Sequence, residues 1–462
     1  MSDSRKQKAA ERTRLLGEAP VRSVLIQLAV PSIAAMVSNA LYNVVDAAFI
    51  GRLGTAAIGA VAVAFPIMQI IVGVGLAFGI GSASYISRSL GGGNKEEADR
   101  TASTTVLVAA GLGVILAAVG LRYLAPVLRI FGATETILPF AHDYVRVIIF
   151  AAPAIMARMT LNNIVRAEGN ARLSMIAMMT GAALNIGLDP LFIFTFDMGI
   201  VGAAVATVIS QVVSIIIMLV YLLGGFSFVT LRIRLFTFQG WLYREVLKIG
   251  TPTFIRQILT SIAVALLNNV ASRWGDAAVA SVGLSFRILF LGMFPVFGFG
   301  QAFQPVAGYN YGARNFNRLF ETIREGFLWT GLFTVVFTVV IQILATPIVS
   351  IFTTDPHVIS IASRNVRAFH LLFPFFGPVV ICNVLFQALG RGVPAAILSL
   401  SRQGIFLVPA IIILPHLFGL DGVFFTQAFA DFFTILITAF FAWRVLRDLR
   451  QESLHQEGGL SG

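Results

Sequence analysis

Long apolar runs recur along this chain, separated by breaks of a few polar or basic residues. Each run is about the 20 residues that ~30 Å of hydrocarbon demands of a helix. The pattern predicts twelve spans, at about 24–50, 57–87, 100–124, 138–166, 172–194, 200–224, 246–272, 278–309, 320–345, 358–389, 394–415 and 420–446. A transmembrane barrel would show alternating segments of about ten residues, and the sequence has none. The longest break, GGFSFVTLRIRLFTFQGW after Leu223, is amphipathic and basic. It suits a helix or an extended linker lying along the membrane interface. The fold class is all-α polytopic membrane protein.

A second pattern lies above the first. Sliding the chain by 221 residues superposes Pro31 on Pro252, Arg52 on Arg273, Gly91 on Gly312 and Asn94 on Asn315. The same ungapped shift still holds at Arg146/Arg367, Pro153/Pro374 and Gly169/Gly390. Shared apolar composition matches Ala with Leu, but it does not align Pro, Arg, Gly and Asn at one offset. The chain is therefore two six-span repeats. Because six is even, the lobes share one membrane orientation about an axis along the membrane normal, with the working cavity between or within them. The expected units are a tail at 1–23, a first lobe at 24–224, an interfacial linker at 225–245, a second lobe at 246–447 and a tail at 448–462.

Composition agrees: 57% hydrophobic and 12% charged, against roughly 45–50% and 25% in soluble domains. The mean hydropathy is +0.86. The net charge of +11 suggests nucleic acid, but its distribution does not. Lys and Arg concentrate in alternate breaks (Arg5 to Arg22, Arg88 to Arg100, Arg166 and Arg172, Arg232 to Lys248, Arg314 to Arg324, Arg391, Arg444 to Arg450). The other breaks hold little beyond Arg52, Arg122, Arg129 and Arg273. That asymmetry places both termini in the cytoplasm. The first apolar run lacks a small-residue cleavage site and reads as a span, not a signal peptide. One cysteine, Cys382, leaves no intrachain disulfide. Short loops and the lack of a targeting peptide point to a prokaryotic cytoplasmic membrane. The segment after Arg450 is polar and is expected to be disordered.

Two acids stand out because the interior is otherwise nearly free of charge. Asp46 and Asp189 each lie about five residues inside a span, roughly 8 Å at 1.5 Å per residue. A carboxylate at that depth is costly unless it is protonated, paired or coordinating an ion. Asn39, Tyr42, Asn43 and Asp46 share one helical face, and Pro31 earlier in the span permits a kink. Asn185 and Asp189 share another face, with Met178 beyond them, and Thr207, Ser210, Gln211 and Ser214 make a third polar stripe. Such a set can take up a proton, or hold Na⁺ through Asp46, Asn185, Asp189 and Thr207. The plainer alternative is that Asp46 caps a helix end and Asp189 forms a turn with Pro190. The second repeat does not copy these acids: Leu267 aligns with Asp46, and the polar residues there include Arg256, Arg287, Arg402 and Asp431. Arg402 and Asp431 suit a structural pair across adjacent spans. The glycines at 73, 75 and 79 read as helix packing, not a nucleotide loop. No Walker motif appears and the five histidines lack ligand spacing, so no cofactor is expected beyond H⁺ or Na⁺ as coupling ion.

These segments carry a resemblance. LAVPSIAAMVSNALYNVVDAAFIGRLG, RSLGGGN, RAEGN at 166–170, LNIGLDPLFIF at 184–194 and the 221-residue repeat together resemble the multidrug and toxic compound extrusion (MATE) transporters, over essentially the whole chain. The pattern is most similar to the DinF-like and MepA-like branch. The resemblance implies an ion-coupling site at Asp46, Asn185, Asp189 and Thr207, with Tyr144 beside them. It implies a drug cavity near Met36, Asn39, Asn162 and Met178, with Asn43 on the same polar face, and a hinge at Pro31. The acids of the second lobe's cation site in the NorM-like branch are missing, since that neighbourhood offers Arg256, Gln257, Asn383 and Gln387.

The expectation is a secondary antiporter in which inward H⁺ or Na⁺ drives export of amphipathic, often cationic compounds by rocking of two lobes. It is expected to be no enzyme, to act as a monomer among membrane lipids, and to bind no nucleic acid. The nearer alternative is a flippase of the same superfamily for a lipid-linked saccharide or anionic lipid. Such a protein should converge several arginines in the first repeat, where acids stand out instead. A membrane-embedded transferase would need a metal-binding acidic cluster, which the sequence does not show.

Overall fold

The computed structural model describes residues 14–459, so Arg5, Lys6, Lys8 and Arg12 of the expected basic tail lie outside the described residues. The first half runs through α1 (Val21–Gly51), α2 (Thr55–Gly91), α3 (Lys95–Arg122), a short α4 (Leu124–Ile130), α5 (Leu138–Phe150), α6 (Ala152–Ala167), α7 (Ala171–Pro190) and α8 (Gly199–Leu223). The second half has α9 (Gly240–Ala271), α10 (Asp276–Gly312), α11 (Phe316–Ser350), α12 (Pro356–Phe369), α13 (Phe376–Ala388), α14 (Gly392–Leu400) and α15 (Leu407–Gly459).

Among the described residues, nine helical runs are long and apolar enough to cross a bilayer as they stand. Two bent pairs make two more: α5 with α6 turns by 52°, and α12 with the Phe373–Ala388 stretch by 42°. The last run, Gly392–Gln456, would extend about 100 Å as one helix, three times a bilayer core. It turns at Gly419, whose φ of 59° ends one helix and starts the next. Twelve spans result.

The bends have a cause legible in the repeat. Pro153 and Pro374, paired at the 221-residue shift, sit at the start of the second segment of each bent pair. Proline is tolerated in a helix's first turn but cannot donate to the preceding one. Each predicted single span is therefore two segments. Other starts are set by asparagine caps: Asn94 and its repeat mate Asn315 accept from the backbone N–H of Glu97 at 3.4 Å and Arg318 at 3.3 Å.

One expectation needs correction, and one alternative is chosen. The segment after Arg450 is helical through Gly459, and Glu452 pairs with Arg391 at 2.7 Å. Its residues are too polar for a span yet include good helix formers, so α15 continues past its apolar stretch. The linker after Leu223 is mostly irregular, with one short turn at Ile233–Leu235. It is strapped to the first half by buried Glu168, which accepts from Ser227 Oγ at 2.6 Å and from the N–H groups of Phe228 and Val229.

The halves join at one end. A core cluster drawing on both halves includes Val24, Leu28, Ile86, Leu90, Phe303 and Leu385, near the basic breaks. Toward the opposite end, one cluster is built from the first half with Leu242 and Val246 of α9, and another wholly from the second half. At the basic end the helices touch backbone to backbone. A Cβ on Gly91 would overlap the Tyr309 carbonyl oxygen, and one on Gly312 would overlap that of Arg88. Residues 88 and 91 map onto 309 and 312 at the same shift, so α2 and α10 meet across the pseudo-two-fold axis. Gly81 and Gly250 bring α2 and α9 equally close, against Val246 and Ala77. Beside that contact, Glu245 bridges Arg88 at 3.2 Å and Lys248 at 2.5 Å.

Candidate functional site

The two acids come together in the first half. Asp189 on α7 is fully buried, and its carboxyl group lies close to that of Asp46 on α1. Asn185, one turn before Asp189, donates through Nδ2 to Asp189 Oδ1 at 3.1 Å and to Thr207 Oγ1 of α8 at 3.4 Å. Asp46 Oδ1, Asp189 Oδ2 and Asn185 Oδ1 are buried and receive no hydrogen bond among the described residues. Tyr144 of α5 is buried beside the two acids. Two carboxylates facing each other offer acceptors only, so the contact requires a proton or a cation between them. The donor set also suits a hard monovalent cation: two carboxylates, an amide oxygen and a hydroxyl.

Helix geometry explains the meeting. Asp189 is followed by Pro190, yet no turn forms there. The helix runs on through Leu191–Thr195 as a π-turn, one of the local adjustments found where membrane helices carry a proline. Asp46 lies inside α1, whose C-cap is Arg52, and so caps no helix end. Pro31 sits within an unbroken α1.

The expected drug-cavity residues do not all converge. A small cavity of about 30 Å³ is lined by Asn39, Tyr42, Arg158, Met178, Asn185 and Thr207, together with Ser210, Gln211 and Ser214. Asn39 and Met178 of the expected set line it. Asn43 is exposed and donates to the Asn39 carbonyl at 2.6 Å. Met36 instead meets Gln301 of α10 at 3.3 Å. Asn162 is buried, bonded to Ser174 Oγ at 2.9 Å and to the Arg166 guanidinium.

One lining residue went unnoticed in the sequence. Arg158 of α6 is 7% exposed, and its Nε donates to Gln211 Oε1 at 3.2 Å. Arg166, expected in a polar break, is equally buried at the end of α6. The first repeat therefore holds buried arginines as well as acids, which removes the ground on which the flippase alternative was set aside. The signal was present: an arginine in the middle of a predicted span.

The second half treats charge differently. Arg402 Nε meets Asp431 Oδ1 at 2.7 Å, Gln427 Nε2 donates to the same oxygen at 2.9 Å, and the Arg402 guanidinium lies 4.7 Å from the Phe376 ring centroid. Leu267, the repeat mate of Asp46, is fully buried in an apolar cluster.

Comparison with known proteins fits this architecture. The MatE family model matches residues 31–191 and again 252–412, two blocks 221 residues apart. The "Multidrug export protein MepA" of Staphylococcus aureus is 29% identical over 415 residues, spanning 90% of this chain and 92% of that protein. A structure of "MATE in the bent conformation" superposes with a TM-score of 0.90 at 27% identity, covering 96% of this chain and 99% of that one. Another, from Pyrococcus furiosus, superposes at 0.88 and 27% identity over 95% and 98%. It is described as a superfamily transporter whose "reverse polarity of binding pocket suggests different function".

Proposed function

This chain belongs to the MatE family of multi-pass membrane transporters, and we propose that it exports amphipathic, often cationic compounds in exchange for H⁺ or Na⁺. The observation that carries this reading is the pair of facing carboxyl groups, Asp46 and Asp189, with Asn185 and Thr207 at their side. In the state closed at the basic end, which the charge asymmetry assigns to the cytoplasm, the ionised pair attracts a cationic compound. A proton or Na⁺ entering from the opposite side then neutralises the pair, weakens its hold and favours closure there. The exchange needs only that each ligand bind the two states with different affinity. The "multidrug export" function named for the bacterial relative supports a broad substrate range, as does a lining that mixes Met with amide side chains.

The test uses purified full chain in liposomes, with efflux of a fluorescent organic cation followed under separately imposed pH and Na⁺ gradients. One gradient is expected to drive efflux, and Asp46→Asn to abolish the coupling. Equal efflux under both gradients and under neither, unchanged by Asp46→Asn, rejects the reading. A second reading, a flippase for an anionic lipid, draws on buried Arg158 and Arg166. Gradient-independent lipid scrambling in the same liposomes would favour it.

A further inference from the structure

Three arginines in the described residues are more than nine-tenths buried: Arg158, Arg166 and Arg402. Arg402 has a carboxylate partner, Asp431. The other two have none. Arg166 Nη1 and Nη2 are held by neutral acceptors, the Asn162 amide, Ser174 Oγ at 3.3 Å and Asn163 Oδ1 at 2.8 Å. Arg158 has still less. Beyond the bond to Gln211, its Nη2 meets only the Met159 sulfur, at 3.8 Å. A guanidinium carries five N–H donors, and Arg158 lines the cavity with most of its own uncommitted. A buried cation without a counter-charge is strongly disfavoured unless something anionic comes to it.

The level of this cation is fixed by helix register. Tyr42 is four residues before Asp46 on α1, and Gln211 four residues after Thr207 on α8. Both steps lead toward the basic end, by about 6 Å at 1.5 Å per residue. Arg158 touches Gln211, and Tyr42 lines the same cavity. The chamber thus has two levels: Asn185 and Thr207 line it beside the acids, and Arg158 lines it one turn nearer the basic end.

We propose that Arg158, set by Gln211 and flanked by Tyr42, is an anion-receiving subsite of this chamber. The compounds it takes then include organic amphipaths bearing a carboxylate together with a cationic group. A carboxylate matches the planar guanidinium fork, and the acids above receive the cationic part. In this state the chamber has room of about 30 Å³, enough for a water or two, so a compound of this kind enters only when the chamber widens. The inference rests on the exporter reading for transport but not for binding.

The test starts from binding. A rhodamine dye with a free carboxylate and its methyl ester differ in one charge, and each is titrated by fluorescence anisotropy against purified full chain in neutral detergent. The wild type is expected to bind the free acid at least as tightly as the ester. Arg158→Gln should weaken the free acid about tenfold more than the ester, the order of one charge-assisted hydrogen bond. Arg158→Lys should keep part of the difference, because it keeps the charge and loses the fork. Should Arg158→Gln fail to fold, Arg158→Lys and Gln211→Leu carry the comparison, with roughly threefold losses expected for the free acid alone. A wild type that prefers the ester tenfold, or variants that weaken both dyes alike, overturns the proposal. So does competition by phosphatidylglycerol that eliminates acid-dye binding in an Arg158-dependent way, which would assign the subsite to a lipid phosphate. If the dyes are discriminated but no gradient moves either in liposomes, the exporter reading fails and the subsite stands.

Discussion

In the first half of the molecule, Asp46 and Asp189 face each other across α1 and α7 without a basic partner, and Arg158 lies a turn away without an acidic one. In the second half, Arg402 and Asp431 pair at 2.7 Å, with Gln427 donating to the same oxygen and Arg402 Nη2 left without a hydrogen bond among the described residues. The helices are the same by repeat, down to paired prolines at paired bends. The charges are not. Duplication preserved the parts that must fit a bilayer and pack against each other. It left open which half would hold charge in a form that a mobile ligand can complete. A satisfied buried pair is a strut; an unsatisfied one is a receptor.

The sharpest way to break that comparison is to give the second half the first half's acid. Leu267→Asp places a carboxylate at a fully buried apolar position, where desolvation costs several kcal/mol. The expected outcome is loss of folded protein in detergent, followed by size-exclusion chromatography. Survival with a normal elution profile would show that the second half also tolerates open charge. Next, Arg402→Met alone should destabilise by about 3–5 kcal/mol, while adding Asp431→Leu should recover most of the loss. Thermal unfolding of single and double variants reads this directly, and failure of the double to recover would give the pair more than a strut's role.

Asp46→Asn and Asp189→Asn should instead leave the thermal midpoint unchanged or raised, because they remove a carboxylate that has no basic partner. Gradient-driven efflux should fall at least about a hundredfold, or ~2.7 kcal/mol at 1.36 per decade. Efflux by Asp431→Asn protein that falls equally far would dissolve the distinction between halves. The smallest effect belongs to the bridge at the join. Glu245→Gln loses the partly exposed ion pair to Arg88, the one of its two pairs that crosses the join, worth roughly 0.2–1 kcal/mol. It should raise the population open at the basic end by about two- to fivefold, measured by spin-label distances between α2 and α9.

The spans were legible because hydrocarbon forces every backbone polar group into a helix, so hydropathy and length suffice. The repeat was legible because prolines, glycines and caps mark geometry that composition does not. Asp46, Asn185, Asp189 and Thr207 could be placed at one level by counting residues from span ends, and the structure brings their side chains together. Contacts that depend on rotation about each helix axis were not legible. Met36 and Asn162 share the right spans but point toward α10 and Arg166. Arg158 was legible in principle, because an arginine mid-span breaks the apolar pattern as plainly as an aspartate does. Arg166, at a span's edge, looks the same in sequence whether it faces water or folds back inside.

The glycine-faced seam between α2 and its two partners has a mechanical consequence. Contacts between bare main chains rest on dispersion, about 0.1–0.2 kcal/mol per atom pair, and fade within an ångström of separation. At Gly81, Gly91, Gly250 and Gly312 the contact is mostly to main-chain atoms, so the side chains that must let go when the faces part are few, chiefly Arg88 from Glu245 and Tyr85 from Trp241. The joint should behave as a press-stud and not as a spring: firm while shut, free once started, and able to reseal in the same register on every cycle.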